Sequence, residues 1–255
     1  MELSRKIKRY RNVFSSVKNW PSYFLFKAGL TGSEDFTFRL SHDVNIKVPR
    51  QTLGPFRECF FDDQYLKNID RNSLPENPVI LDIGANAGYA ALHFFYEFPG
   101  AAIHSFEPMA YCQELIESEQ KTFPEYNWNL HKYGVWKEAG ELELFTNSDD
   151  GFSTTSGVVQ HNSSQHKTVI RVNTLEDFFA ANPYSRIDLL KIDCEGAEYE
   201  ILFNLPPHLL ARFERIAMET HPTEKWNTVD MKNFLEQNGF SIIEEGEYLW
   251  ATKEN

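Results

Sequence analysis

Four carboxylates lie within eight residues of one another in the stretch DLLKIDCEGAEYEIL, residues 188–202. They are Asp193, Glu195, Glu198 and Glu200, and they follow an apolar run that is typical of a buried strand. Acids at the end of a strand can bind a metal ion, take a proton from a substrate, or complement the dipole of a helix that begins there. The elements around these acids decide which of the three applies.

Two of the acids suit chemistry and two suit the start of a helix. The sequence turns helical after residue 196, so we expect Glu198 and Glu200 on the solvated side of that helix or at its N-terminus. Asp193 and Glu195 fall at the end of the strand, where a carboxylate can hydrogen-bond an acceptor hydroxyl and take its proton. A metal site is disfavoured, because these two acids supply two ligands and the spacing compels no third.

A histidine follows the next apolar run along the chain. METHP, residues 218–222, places Glu219 and His221 at the neighbouring position of the same rim. A lone histidine is more often structural than catalytic, but histidine exchanges protons near neutral pH and catalytic groups gather at the carboxyl ends of parallel strands. We therefore predict a general base at His221 and, with it, catalytic roles for Asp193 and Glu195.

A glycine-containing turn follows the apolar strand in VILDIGANAGY, residues 79–89. Gly84 and Gly88 let the backbone approach a ligand closely, and the helix that follows offers free N–H groups. The dinucleotide fingerprint GxGxxG is absent, because Asn86 stands at its second glycine position and the third glycine is also missing. Asp82, at the end of the strand, suits a ligand with a cationic amino group.

A second acid, Glu107, ends the next predicted strand in the sequence SFEP. In doubly wound folds a carboxylate at this place accepts two hydrogen bonds from the cis-diol of a ribose. Pro108, which follows it, is expected in the first turn of the next helix.

The order of these motifs predicts a doubly wound α/β sheet. Seven short apolar runs cover residues 79–84, 101–108, 127–135, 187–195, 215–221, 240–246 and 248–253. Helical stretches at 88–97, 109–121, 174–181, 197–203 and 228–238 separate most of them. This alternation is typical of a parallel sheet covered by helices, and the short connection between the last two runs favours an antiparallel hairpin.

The residues before this pattern predict a separate cap. We assign residues 1–75 to an N-terminal cap of helix, β-hairpin and helix, and residues 76–255 to the main domain. The first helix stops at Pro21 and carries an apolar stripe to be buried on the body or on a second copy; its members are Leu3, Ile7, Tyr10, Phe14 and Val17. The hairpin is predicted at 36–49 and the second helix at 56–69.

Charge and composition exclude some classes of partner. The net charge of −12 argues against nucleic acid as the partner of the main domain. Residues 1–27 carry +6, so this basic segment is either a solvated helix face or a contact for an anionic membrane or an acidic partner. Three dispersed cysteines predict a reducing compartment, the cytoplasm, and neither a signal peptide nor a transmembrane span is visible.

Three motifs together resemble the FkbM family of S-adenosylmethionine-dependent methyltransferases: DIGANAG at 82–88, SFEP at 105–108 and KIDCEGAE at 191–198. The resemblance covers about residues 78–222. It implies a class I methyltransferase fold with a Rossmann-like sheet of seven strands, S-adenosylmethionine as cofactor, and methylation of a hydroxyl on a sugar or polyketide-like small molecule.

The resemblance also implies roles for particular residues. Gly84 and Gly88 would line the methionine part of the cofactor with Asp82 close to its ammonium, Glu107 would hold the ribose, and the adenine would lie near 131–135. The cofactor-binding residues that we predict are Asp82, Gly84, Asn86, Gly88, Glu107, Pro108 and Asp193. The polar segment 146–157 has the composition of a lid or substrate-reading loop.

The leading hypothesis is an O-methyltransferase whose acceptor is a carbohydrate or a sugar nucleotide. Two alternatives stay open: a divalent-metal-assisted methyltransferase acting on another natural-product hydroxyl, and a non-catalytic protein that keeps the nucleoside pocket. An NAD-type oxidoreductase is the rival reading of the fold.

Overall fold

The computed structural model describes residues 2–146 and 166–254, so most of the predicted loop at 146–157 lies outside the described residues. The chain divides into two compact units, Met1–Lys67 and Asn68–Asn255. The sequence placed the boundary at residue 75. Residues 71 and 73 instead join the second unit, because Arg71 pairs with Glu97 at 3.0 Å and Arg215 donates to the carbonyl oxygen and the hydroxyl of Ser73.

The first unit contains three helices and a hairpin. They are α1 (Glu2–Ser16), α2 (Trp20–Lys27), β1 (Asp35–Arg39), β2 (Asn45–Pro49) and α3 (Leu53–Phe60). The hairpin predicted at 36–49 is confirmed, with a short 3₁₀ turn at Ser41–Asp43. Its interior is aromatic: Phe38 stacks on Phe56 with ring centroids 4.3 Å apart, and both rings are fully buried.

Three predictions for this unit are wrong in detail. The first helix ends at Ser16, and Pro21 opens α2, since proline is favoured in a first helical turn. The second predicted helix stops at Phe60, and Asp63 beyond it adopts a left-handed backbone with φ +55°, which a helix does not continue through. Val17 is buried beyond the end of α1, whereas three members of the predicted stripe are exposed: Ile7, Tyr10 and Phe14.

The second unit is built on a seven-stranded sheet. Its strands are β3 (Val79–Ile83), β4 (Ala102–Phe106), β5 (Asn127–His131), β9 (Leu189–Ile192), β10 (Arg215–Glu219), β11 (Phe240–Glu245) and β12 (Tyr248–Lys253). The spatial order is β11-β12-β10-β9-β3-β4-β5. Strands β10, β9, β3, β4 and β5 are parallel, and β12 runs antiparallel between β10 and β11. The predicted sheet and its C-terminal hairpin are confirmed.

Helices connect the strands much as the sequence predicted. They are α4 (Tyr89–Glu97), α5 (Ala110–Thr122), α6 (Leu175–Ala181), α7 (Glu198–Leu202), α8 (Pro207–Leu210) and α9 (Thr228–Gln237). Among the helices of the described ranges, none combines the length and apolar composition that a membrane crossing requires.

A smaller sheet was missed by the sequence analysis. It consists of β6 (Gly134–Val135), β7 (Gly140–Thr146) and β8 (His166–Asn173), in the order β6-β8-β7. On β8, Ile170 and Val172 are buried while Val169 and Arg171, at the alternate positions, are exposed. Such a half-buried strand lacks the continuous apolar run that marks the central sheet.

The sheet order fixes where a ligand can bind. The chain moves from β3 outward through β4 to β5 and then returns to place β9 on the other side of β3. A crevice opens at the carboxyl ends of the strands where the direction of winding reverses, and ligands of doubly wound sheets bind there. This switch point lies between β3 and β9, which end at Ile83 and Ile192 and lead directly into the glycine turn and the acidic stretch.

Candidate active site

The turn after β3 is held against the end of β9 through a glycine. Gly84 has φ +75°, and a Cβ atom at this position would lie 1.8 Å from the carbonyl oxygen of Asp193. Its N–H donates to the carbonyl oxygen of Phe106 at 3.1 Å, at the end of β4. The turn therefore touches both neighbouring strand ends, and no side chain fits between them.

The second glycine begins helix α4 at the same edge. Gly88 has φ +81°, and a Cβ atom there would lie 2.9 Å from the ring of Trp128. The indole N–H of Trp128 donates to the hydroxyl of Ser105 at 2.9 Å, and that hydroxyl donates to Asp82 at 3.1 Å. A chain of buried hydrogen bonds thus joins three adjacent strands below the turn.

Asp82 supports the turn from inside the protein. Its carboxylate is fully buried and lies 3.1 Å from the ammonium of Lys191, which is also buried. Lys191 donates to the carbonyl oxygens of Gly84 at 2.6 Å and Ile83 at 3.3 Å. Asp82 thus supports the glycine turn through Lys191, and its contact with a cofactor ammonium stays a prediction. Sequence reasoning missed Lys191, although a lysine inside the apolar run LLKI was the available signal.

Glu107 links the two turns at the ends of β3 and β4. Its carboxylate oxygens accept one backbone N–H each, from Asn86 and from Met109, both at 2.8 Å. Burial raises the pKa of Glu107 to about 7, against the opposing effect of these hydrogen bonds. Each oxygen keeps a lone pair, so the carboxylate can still accept hydrogen bonds from a diol.

Two neighbours of Glu107 act through the backbone. Asn86 has φ +49°, and its side-chain oxygen accepts the N–H of Ala87 at 2.7 Å, so its N–H points to Glu107 and its side chain stabilises the turn. Pro108 stands before α5, which begins at Ala110, and not in its first turn as predicted.

Aromatic rings surround the region where the sequence analysis placed the adenine. His131 stacks on Phe106 with ring centroids 4.6 Å apart, and its carbonyl oxygen accepts the N–H of Glu107. His104 bridges His131 and Tyr184, with 3.0 Å to each. Burial lowers the pKa of His104 to about 4 and also lowers the pKa of His131, so both imidazoles favour the neutral form at neutral pH. The adenine position stays a prediction.

The three predicted catalytic residues lie together at the ends of β9 and β10. The Nε2 atom of His221 is 3.6 Å from a carboxylate oxygen of Glu195 and 4.0 Å from one of Asp193. The side chains of all three are about a quarter exposed, so an acceptor can reach them. Glu195 has a left-handed backbone with φ +55°, which is rare for a residue with a side chain.

Glu198 holds this group in place and is the main correction to the sequence analysis. Of the two positions predicted for it, the helix N-terminus is confirmed, since Glu198 opens α7, and the solvated side is wrong, since its carboxylate is fully buried. It accepts the N–H groups of Cys194 and Gly196, both at 2.9 Å, and the Nδ1 atom of His221 at 3.0 Å. Glu200 behaves as predicted, since it pairs with Lys137 at a partly exposed position.

The acids change the protonation of the histidine. Burial alone would lower the pKa of His221, but the hydrogen bond to Glu198 and the charges of Glu198, Asp193 and Glu195 raise it to about 10. The imidazole is therefore protonated at neutral pH and donates hydrogen bonds, which argues against the predicted role of His221 as general base. Burial raises the pKa of Glu195 to about 7, with His221 opposing the shift, so Glu195 exchanges a proton near neutrality.

Glu219 completes a further group at the same rim. Asp193, Glu219 and His221 each offer one ligand atom, and these atoms lie within 4.8 Å of one another. The sequence analysis found no third ligand beside the two acids of the β9 end. The structure supplies candidates from the end of β10, because parallel strands that are adjacent in the sheet finish at one edge.

Glu198→Gln is expected to lower the free energy of unfolding by about 1–3 kcal/mol, because the amide directs a donor at groups that donate themselves. In the unaltered chain, the stability from His221 is fully present below its ordinary pKa of 6.5 and is lost as the pH rises through about 10. The variant should lose less stability over this interval. Urea unfolding across the interval measures this, with Glu200→Gln as control; an unchanged pH dependence in Glu198→Gln would contradict the assignment.

The comparison with known families identifies the family of the chain. A family model described as the methyltransferase FkbM domain matches residues 82–242, more than half of the chain. The chain belongs to the FkbM methyltransferase family. The match includes the glycine turn, Glu107, the acids that follow β9, and His221.

Several curated proteins are similar to the chain. The 31-O-demethyl-FK506 methyltransferase FkbM of Streptomyces tacrolimicus is 24% identical over 225 residues, which cover 78% of this chain and 85% of that protein. Methyltransferase 1 of Beauveria bassiana is 24% identical over 206 residues, covering 74% and 81%. The AMB antimetabolite synthetase AmbE of Pseudomonas aeruginosa is 26% identical over 232 residues, but the chain spans only 11% of its length.

A solved FkbM structure shows the same fold. The crystal structure of methyltransferase FkbM from Methylobacillus flagellatus aligns with a TM-score of 0.50 at 13% identity, covering 78% of this chain and 53% of that chain. The predicted class I methyltransferase fold is thereby confirmed.

Proposed function

We propose that this FkbM methyltransferase uses S-adenosylmethionine to methylate a hydroxyl of a small molecule, with a carbohydrate or sugar nucleotide as the leading acceptor. The observation that carries the proposal is the meeting of two groups at one edge of the sheet. The glycine turn and Glu107 follow β3 and β4, and the Glu195–His221 pair follows β9 and β10. The name of the Streptomyces tacrolimicus relative, a 31-O-demethyl-FK506 methyltransferase, supports an oxygen acceptor.

The residues at the switch point fit the cofactor. Gly84 and Gly88 present backbone without side chains, and Glu107 keeps acceptor capacity for ribose hydroxyls. When bound, S-adenosylmethionine supplies a methyl group on a cationic sulfur. The acidic rim at Asp193 and Glu195 favours such a cation, so the site and the cofactor are complementary in charge.

Glu195 is the group that we assign to the acceptor proton. Its carboxylate is partly exposed and lies against His221, which Glu198 holds in a fixed orientation. A sugar hydroxyl keeps its proton at neutral pH and must lose it as its oxygen gains the methyl group. Glu195 takes that proton, while the protonated His221 orients the carboxylate and Asp193 hydrogen-bonds the acceptor.

The decisive experiment traces a radioactive methyl group from the cofactor to its acceptor. The full chain is incubated with S-adenosylmethionine carrying tritium in its methyl group and with a fractionated extract of its source cells. Transfer into a hydroxylated small molecule is expected, and mass spectrometry then locates the methyl group. Tight calorimetric binding of NAD with no binding of S-adenosylhomocysteine would overturn the proposal; binding of S-adenosylhomocysteine without any product would favour a non-catalytic nucleoside-binding protein.

Glu107 should make cofactor binding depend on pH. Ribose hydroxyls donate more strongly to its carboxylate than to its acid form, in which one oxygen becomes a donor, and the pKa of Glu107 in the free protein is about 7. Affinity for S-adenosylhomocysteine is expected to fall up to about tenfold for each pH unit below that value. Calorimetry between about pH 5.5 and pH 8 measures it. Glu107→Gln should bind weakly and with no such pH dependence, whereas a pH dependence kept in this variant would assign the titration to another group.

A metal-assisted variant of the reaction is the second candidate. It is favoured by the convergence of Asp193, Glu219 and His221, since divalent cations with oxygen ligands suit such a set. Loss of methyl transfer with a chelator, restored by Mg²⁺, would establish it. Unchanged methyl transfer after exhaustive chelation would exclude the metal-assisted reaction and support direct proton transfer from the acceptor to Glu195.

A further inference from the structure

The first unit carries an exposed apolar surface on its two N-terminal helices. We call it the aromatic patch and define it as Ile7, Tyr10, Phe14, Trp20 and Phe24. The rings contact one another. Phe14 packs edge-on against Trp20 with ring centroids 5.0 Å apart. The ring centroid of Phe24 lies 6.0 to 6.1 Å from those of Tyr10, Phe14 and Trp20. Phe14 is 52% exposed and Ile7 62%.

The patch is distinct from the side of α1 that packs into the interior of the first unit. Helix α1 already packs another side, through the buried Val13 and the hydrogen bond that Asn12 donates to the carbonyl oxygen of Phe61. Aromatic rings clustered at the surface of a folded chain mark an interaction site when they form a continuous patch, and single exposed apolar residues do not. The patch is continuous because its four rings touch.

Two basic residues, Arg11 and Lys27, lie beside the patch, in a segment of net positive charge in which Arg9 and Lys18 pair with Asp62 and Asp43. Residues 1–27 carry seven Lys and Arg residues and one Glu, whereas the rest of the chain carries a net −18. Arg11 is exposed one residue after Tyr10, and the ammonium of Lys27 lies 5.7 Å from the centre of the Tyr10 ring. Aromatic and aliphatic side chains beside lysine and arginine are the composition of helices that lie in the interface of an anionic membrane.

We infer that the aromatic patch and the basic residues around it bind the surface of a membrane that contains anionic lipids. A second copy is a poorer occupant, because a symmetric dimer would bring two copies of the same positively charged face together. Rings insert at the level of the headgroups while the basic side chains pair with lipid phosphates. This inference concerns the first unit and is independent of the proposed methyl transfer.

Co-sedimentation of the full chain with sucrose-loaded vesicles tests it. Binding is expected to vesicles of phosphatidylcholine with phosphatidylserine and not to phosphatidylcholine alone, and added salt should weaken it. The double variant Phe14→Ser/Trp20→Ser should bind at least about tenfold more weakly. Arg11→Gln/Lys27→Gln, which leaves the apolar side chains intact, should lose about 30-fold in partitioning.

Matched controls separate the patch from general surface effects. Ile243→Ser removes an apolar side chain that is 50% exposed in the second unit, and Lys121→Gln removes an exposed positive charge there; both should bind vesicles as the unaltered chain does. Far-ultraviolet circular dichroism and thermal unfolding verify that every variant is folded.

Three results would overturn the inference. The first is a folded chain that does not co-sediment with vesicles containing phosphatidylserine. The second is vesicle binding that both double variants retain at the level of the unaltered chain. The third is a dimer, seen by light scattering, that Phe14→Ser/Trp20→Ser converts to monomer, because it would assign the patch to a second copy.

Discussion

Glu195→Gln is expected to lose about 10²- to 10⁴-fold in methyl-transfer turnover while binding S-adenosylhomocysteine as the unaltered chain does. Glutamine keeps the shape of the side chain and removes its ability to take a proton. The backbone at this residue is already left-handed, with φ +55°, and the exchange leaves that conformation unchanged. The variant therefore isolates the proton-transfer step from folding and cofactor binding.

The pH dependence supplies an independent measure of the same step. Because burial raises the pKa of Glu195 to about 7, its carboxylate form increases as the pH rises through neutrality, and the turnover of the unaltered chain should rise with it. Single-turnover rates with the identified acceptor measure this. Glu200→Gln, which changes a partly exposed acid paired with Lys137, is the matched control. Normal turnover in Glu195→Gln would remove Glu195 from the mechanism.

Gly84→Ala is expected to destabilise the second unit by about 3–5 kcal/mol, the largest loss of stability among the exchanges considered. Two costs add together. A left-handed residue with a side chain is strained, and the new methyl group would lie 1.8 Å from the carbonyl oxygen of Asp193. Because the obstructing carbonyl group of Asp193 belongs to the backbone, it cannot rotate away as a side chain could. The ends of β3 and β9 must therefore separate. Cofactor binding should be lost with the turn, since its N–H to Phe106 and its contact with Lys191 depend on this position.

A second glycine separates these two costs. Gly239 has φ +84°, but a Cβ atom there would meet nothing within 4 Å. Gly239→Ala therefore carries the conformational cost alone, about 1 kcal/mol, and should bind S-adenosylhomocysteine normally. Urea unfolding of both variants gives the comparison. Equal losses in the free energy of unfolding of the two variants would show that the close approach of Gly84 to Asp193 does not contribute to the cost of the Gly84→Ala exchange.

The sequence by itself determined the class of the fold and the edge of the sheet that carries the site. Buried parallel strands have a recognisable apolar pattern, and the carboxyl ends of parallel strands lie along one edge. Residues written directly after such strands are therefore neighbours in space whatever their separation along the chain. Glu107, Asp193 and His221 could be placed together for this reason alone.

Only the tertiary structure decided what each of these groups contacts. Lys191 points along its strand to Asp82 and the glycine turn, and Glu198 turns inward to His221 and two N–H groups of the β9 end. These contacts join different strands, and the direction and burial of a side chain depend on neighbours that periodicity does not specify. The charge state of His221 follows from those neighbours.

The outer face of α1 shows the same division. Its apolar residues at helical spacing predicted a buried stripe, because periodicity reports which residues share a face. It does not report whether another element covers that face. The side of α1 that faces the rest of the unit holds the buried Val13 and Asn12, which donates to the carbonyl oxygen of Phe61, whereas Tyr10 and Phe14 lie at the surface. The sequence determined the amphipathic character of this helix, and the tertiary structure decided which of its apolar residues are free to meet a partner.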